Sequence, residues 1–134
     1  MKRVYALVLA LCLMFLAGCG GGDVSEVVRS IGKCKRFRES QISAAMDLVQ
    51  RQFKAEYDGC KLLNLRYDED DTIDVADGWA EQYGVEDVII LKSDFYVDDS
   101  GRTPTLNPDS TYKNWSWILV KTTFGWELRD CGYG

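Results

Sequence analysis

The chain has 134 residues, 46% of them apolar, and carries 16 basic against 21 acidic side chains for a net charge of −5. That length holds one small domain, and an ordinary apolar share with only 2 prolines argues for a folded chain. An acidic body repels phosphate backbones, which excludes nucleic acid as a partner, and a sequence with 0 histidines lacks the common general base, the Ser-His and Cys-His nucleophile pairs and the usual zinc ligand sets.

Lys2 and Arg3 precede an apolar run from Val4 to Phe15 that ends in small residues, the layout of a secretory signal. The run falls short of the ~20 residues that span a bilayer. Leu16-Ala17-Gly18-Cys19 matches the bacterial lipobox, in which the cysteine thiol receives a diacylglyceryl group and the bond before it is cut. Two or more acyl chains hold a protein stably on a membrane. The expectation is therefore an extracytoplasmic lipoprotein of the bacterial cell envelope, with residues 1–18 as signal peptide and Cys19 as the lipid attachment site. Removing 18 of the 134 residues also removes Lys2 and Arg3, so the mature charge becomes −7.

Gly20-Gly21-Gly22-Asp23 reads as a flexible tether, and Val24, Val27, Val28 and Ile31 recur at helical spacing, which predicts one or two helical turns. Arg29, Lys33, Lys35, Arg36 and Arg38 follow. They are expected to form a solvated basic linker over residues 19–38, the alternative being a patch resting on anionic head groups.

Residues 39–134 are expected to form the single folded domain. Ile42, Met46, Val49 and Phe53 predict a helix over 40–57, stopped by Gly59. Leu63, Leu65 and Tyr67 then alternate with Asn64 and Arg66, a strand from Cys60 onward. Asp68-Glu69-Asp70-Asp71 invites a hard-cation reading, yet it lacks the alternation and central glycine of a calcium loop, and a helix cap explains it equally well. A second helix is predicted over 72–83, with Ile73, Ala76, Trp79, Ala80 and Tyr83 on one face. From Val88 the pattern is a three-strand meander: 88–97, 111–123 and 126–131. The Asp98 to Ser110 connection is long for a hairpin and is a candidate contact surface. The class is α+β, with helices packed on a four-stranded antiparallel sheet.

Leu65, Tyr67-Asp68-Glu69, Ser93-Asp94-Phe95-Tyr96-Val97-Asp98 with Ser100-Gly101, Leu106-Asn107-Pro108, Ser110-Thr111-Tyr112, Trp115, Trp117-Ile118-Leu119, Gly125-Trp126 and Gly132-Tyr133 together resemble a family of small bacterial lipoproteins of unassigned activity. The resemblance covers about residues 37 to 134 and departs from the family pattern at Cys131, where a tryptophan is expected, and near Arg102 to Thr105, where more glycine is expected. It implies a cone-shaped domain similar to the nuclear transport factor two-like (cystatin-like) class, with helices in the concave face of a curved sheet. It also implies that a homodimer through the open sheet face is available to the fold.

With Cys19 acylated, three thiols remain in an oxidising compartment: Cys34, Cys60 and Cys131. Strict alternation puts Cys60 beside Asn64 and Arg66, and Cys131 beside Glu127 and Arg129, on the outer face. Antiparallel pairing of the first and last strands would bring these two within bridging range, so Cys60–Cys131 is the expected disulfide, with Cys34 pairing to either as the alternatives. Beside a purely structural or inhibitory lipoprotein whose acidic face meets a basic partner, two kinds of chemistry are left open. One is a non-catalytic module that holds a small apolar ligand, a peptide or an envelope protein, with Trp79, Tyr83, Asp94, Tyr96, Tyr112, Trp115, Trp117 and Trp126 as candidate pocket or contact residues. The other is a small enzyme using Asp94, Tyr96, Tyr67 and Tyr112 for acid-base work in an apolar cavity. Neither reading calls for a cofactor or a catalytic metal.

Overall fold

A computed structural model describes residues 21–133. The lipobox, Leu16, Ala17, Gly18 and Cys19, lies outside the described residues. The elements run β1 (Val28–Ile31), α1 (Glu39–Glu56), β2 (Cys60–Tyr67), α2 (Glu69–Tyr83), β3 (Val88–Val97), β4 (Ser110–Thr122) and β5 (Gly125–Gly132). They build an α+β fold in which two helices pack on one five-stranded sheet of order β1-β2-β3-β4-β5. β1 is parallel to β2, and the remaining neighbours are antiparallel. The sheet is thus mixed and five-stranded where four antiparallel strands were expected. Among the described residues no helix is long and apolar enough to cross a membrane.

The two helices lie on opposite faces. In β3 the side chains alternate without interruption: Ile89, Leu91, Phe95 and Val97 join α1, whereas Val88 and Ile90 join α2. The α1 face is the larger core. Ile42, Met46, Val49 and Phe53 are fully buried there against Leu62, Leu65, Trp117 and Leu119, each such side chain contributing roughly 1.5–3 kcal/mol. The α2 face buries less: Ala76 with Val88, Ile90, Ile118 and Val120. An arrangement with both helices in one concave face is therefore not the one observed.

α1 starts where Gln41 Oε1 accepts the Arg38 N–H at 2.9 Å. α2 starts at Asp68, whose side chain accepts the Asp70 N–H at 3.1 Å, and ends at Gly84, whose φ of 65° is a left-handed conformation that glycine adopts without penalty. The four acids therefore open a helix, and their carboxylates diverge. Asp68 caps, Glu69 turns inward, Asp70 pairs with Lys33 and Asp71 faces a groove.

The expected tether is part of the domain. Val28 to Ile31 extend along the free edge of β2 instead of coiling, because four residues rich in β-branched side chains cannot sustain a helix nucleus but can complete a ladder. Upstream, Gly22 N–H donates to Lys54 O at 2.9 Å and Asp23 N–H to Cys60 O at 2.8 Å. A Cβ on Gly22 would stand 2.6 Å from the Phe53 ring, so only glycine fits this approach. The basic cluster is largely neutralised by the body: Arg29 meets Asp47 at 2.7 Å, Lys33 meets Asp70 at 3.3 Å, and Arg36 meets Asp77 at 2.6 Å.

Three β-bulges change which side chains face the core. The extra residue Leu63 puts Leu62 and Cys60 on the α1 face, where Cys60 is buried, instead of beside Asn64. The extra residue Arg129 brings Cys131 onto the same face as Trp126 and Leu128. Both cysteines thus point inward. Moreover, β3 and β4 stand between the strands that carry them, so the strand pairing on which the Cys60–Cys131 disulfide depended does not occur. Cys34, Cys60 and Cys131 are free thiols in this structure.

Glu69 ties the N-terminal segment down. It is 6% exposed, and its carboxylate accepts the Lys35 and Arg36 N–H groups at 2.7 and 2.9 Å. Glu69→Ala leaves two backbone donors without their acceptor and should cost about 1–3 kcal/mol in denaturant unfolding. Hydrogen exchange at the Lys35 and Arg36 amides should accelerate in step. Unchanged protection of those amides would show that the segment is held by other contacts.

Candidate functional site

The α2 face holds a groove because sheet and helix do not fill the space between them. Under the first half of α2, β3 and β4 present Lys92 and Ser116 in place of large apolar side chains, and the apolar contact lies further along, where Ala76 is buried and Trp79, Ala80 and Tyr83 are partly buried. One half of the groove, about 260 Å³, is lined by Val75, Trp79, Ile90 and Ile118, with Asp130 and Tyr133 at its C-terminal side. The adjoining half, about 510 Å³, is the more polar of the two and is lined by Arg66, Asn114, Asp68 and Gly32 together with Ile31 and Tyr67. Asp71, Thr72 and Lys92 border both halves, so the two cavities adjoin along these side chains.

The polar floor is a built network. Arg66, Lys92, Ser116 and Gly132 stand in one register across four strands. Arg66 reaches Asp94 at 3.2 Å and Asn114 Oδ1 at 2.7 Å, and it also donates to Asn64 Oδ1. Asp94 accepts from Asn64 Nδ2 and from the Asn114 N–H, both at 3.0 Å. Asn114 belongs to the third bulge and has a φ of 59°, a left-handed conformation that asparagine tolerates better than most residues. Burial alone would raise the Asp94 carboxyl, but the donors Asn64, Asn114 and Arg66 outweigh it and hold Asp94 below the ordinary carboxylate value. Lys92 donates to Ser116 Oγ at 2.6 Å and pairs with no carboxylate among the described residues.

The residues expected to form one site are divided between the faces. Trp79 lines the groove and stacks on Tyr83 at 5.2 Å; Tyr83 in turn lies under Arg129 at 5.4 Å. Asp94 and Tyr96 share the α2 face of β3, with the Tyr96 hydroxyl donating to Asp109 at 2.5 Å, which raises its pKa. Tyr112, Trp115, Trp117 and Trp126 belong to the α1 face instead. Trp117 is fully buried and donates to Ser93 Oγ at 2.8 Å, while Trp126 donates to Gln41 O at 2.9 Å. Tyr67 is buried on that face too, where burial pushes its hydroxyl up to about 12. The four acid-base candidates therefore do not converge.

A second cavity, about 340 Å³, opens on the α1 face between Tyr57, Thr103, Leu106 and Trp115. Trp115 Nε1 is buried there without a hydrogen-bond partner among the described residues. The Tyr57 hydroxyl lies 3.3 Å from Cys131 Sγ, and burial, then the thiol, push its pKa far above the ordinary value. The Asp98 to Ser110 loop is tied to the body, with Thr103 Oγ1 donating to Asp58 O at 2.6 Å and Asn107 N–H to the Tyr112 hydroxyl at 2.9 Å.

Sequence reasoning missed Lys92, Ser116 and Asn114. Two of them left a signal: Lys92 and Ser116 are the polar residues that follow Val88 and Ile90 in β3 and precede Ile118 and Val120 in β4 in the same strand phase. Comparison of the chain with protein families, curated proteins and solved structures finds no match.

The Asp94 network makes a pH prediction. A carboxylate with a lowered folded value contributes stability that is present above its unfolded value, 3.8, and is lost as pH falls through the folded value. Asp94→Asn should therefore destabilise the protein at pH 7, and the gap between variant and wild type in denaturant melts should narrow well below pH 3.8. An equal gap at both pH values would mean that Asp94 acts through packing, not charge.

Proposed function

We propose that the protein is a lipid-anchored binding module of the bacterial envelope, extracytoplasmic and non-catalytic, whose ligand site is the groove between α2 and the sheet. The observation that carries this reading is the groove itself: a partly apolar space with a few fixed polar groups at one end is the usual form of a small-molecule site. The acid-base chemistry it displaces has little support, since Asp94 is held as a carboxylate by three donors and the tyrosines lie on different faces. Kinship with the nuclear transport factor two-like class belongs to the same proposal. One long helix laid across a bulged, mostly antiparallel sheet supports it, whereas α2 on the opposite face and the parallel β1 do not.

The anchoring half of the proposal rests on Leu16-Ala17-Gly18-Cys19 and gains a spatial consequence. Among the described residues hydrogen bonds begin at Gly22, so an acylated Cys19 would hold the body within about three extended residues, roughly 10 Å, of the lipid. The end of the sheet carrying Cys60 and Val97 would then face the membrane.

Native mass spectrometry of the full chain released from its envelope should show a retained adduct in wild type and none in Val75→Trp, which fills the apolar half from a position 51% exposed. A bare wild-type mass would remove the pocket reading and turn the search to protein partners. Cys19→Ala should abolish incorporation of labelled fatty acid and membrane retention; labelling that persists would refute the lipobox assignment.

A further inference from the structure

On the reading that the groove is a ligand site, we infer that its ligand is a singly charged anionic amphiphile, whose carboxylate or phosphodiester head meets Lys92 and Arg66 while its apolar tail lies along Ile90, Ile118, Val75 and Trp79. Arg66 and Lys92 are direct partners in the β2–β3 register and lie on the same face. Two cations at such a position repel one another and destabilise the pair, where opposite charges would stabilise it. Arg66 is compensated by Asp94, but Lys92 has only the Ser116 hydroxyl, itself 6% exposed. The ammonium is partly buried beside Ile90 and Ile118, where the weaker screening by water strengthens its attraction for an anion.

The placement of the two cations separates head from tail. Lys92 borders both halves of the groove and Arg66 only the more polar one, where Ile31 and Tyr67 are the apolar lining residues, whereas Val75, Trp79, Ile90 and Ile118 gather in the half beyond Lys92. A free inorganic anion would leave the apolar half unused, and a neutral lipid would leave Lys92 unpaired. Asp71 and Asp130 line the groove as well, and Asp68 lines its polar half. They limit the charge the groove accepts and select against a multiply charged head.

The test uses the full acylated chain in zwitterionic nanodiscs, so that partition of the probe into lipid cancels between variants. Calorimetric titration compares octanoate with octanol, acetate and inorganic phosphate. Octanoate should bind best. Lys92→Met should lower its affinity tenfold or more, as expected for loss of a charge-assisted hydrogen bond in a shielded site, without changing octanol. Lys92→Arg should retain most of the affinity, and Asp71→Asn should raise it by removing a like charge. Equal binding of octanoate and octanol, indifferent to Lys92, would overturn the head assignment while leaving the groove as a ligand site. Acetate or phosphate binding as tightly as octanoate would overturn the tail assignment. No binding of any probe, with the wild-type melting profile intact in Lys92→Met, would remove both this inference and the groove reading, whereas a Val75→Trp block of octanoate and octanol alike supports the groove.

Discussion

Phe53 is the point at which the separate stretches of this chain meet. Its ring stacks on Tyr57 at 4.8 Å and meets Phe95 and Trp117 edge-on at 5.6 and 6.4 Å, which joins α1 to β3 and β4. Gly22 approaches the same ring so closely that no side chain can intervene. The N-terminal segment, the long helix and the meander are therefore fastened through one buried aromatic cluster. Aromatic pairs of this geometry add about 0.5–1.5 kcal/mol each beyond the area they bury, so the α1 face is the rigid side of the molecule.

That rigidity frees the other face. A five-stranded sheet has two sides to cover, and α1 already supplies most of the burial, so α2 can rest on the sheet through a small contact around Ala76. Where α2 approaches its N-terminus the sheet beneath turns polar, and the gap that follows is filled neither by side chains nor by a tight backbone contact. A core residue replaced by Lys92 costs stability wherever an apolar residue would fit. Its position beside Arg66 adds repulsion to that cost, and the proposed binding role would account for both.

The sequence made the long elements legible because their signals were local and strong. The apolar stripe of α1, the acids and Gly84 that bracket α2, and the alternation of β3 all predict spans within a few residues of those observed. What it concealed depends on single residues acting at a distance. Leu63, Arg129 and the Lys113–Asn114 pair each insert a residue into one strand, and beyond each insertion the inward and outward phases exchange. Strict alternation therefore carried Cys60 and Cys131 to the wrong face and suggested a disulfide between strands that are not neighbours. β1 was hidden for a different reason: four residues take strand form only because β2 offers them an edge, and nothing local states that. The groove combined both difficulties, since Arg66, Lys92 and Asn114 meet across three strands.

The same geometry relates anchor to groove. Gly22 and Asp23 are fastened at the end of the sheet where β2 begins, next to Lys54 and Cys60. Arg66 lies six residues further along β2, which at about 3.3 Å per residue puts the polar floor some 20 Å from that end. A chain held by acyl groups on Cys19 would thus rest one end near the bilayer and present the groove beyond the head groups. Had the site been the second cavity, between the end of α1 and the Asp98 to Ser110 loop, it would have sat at the membrane end itself. The anchor distance and the position of Arg66 and Lys92 together favour a ligand met outside the membrane, as a dispersed amphiphile and not as a lipid still embedded in the layer below.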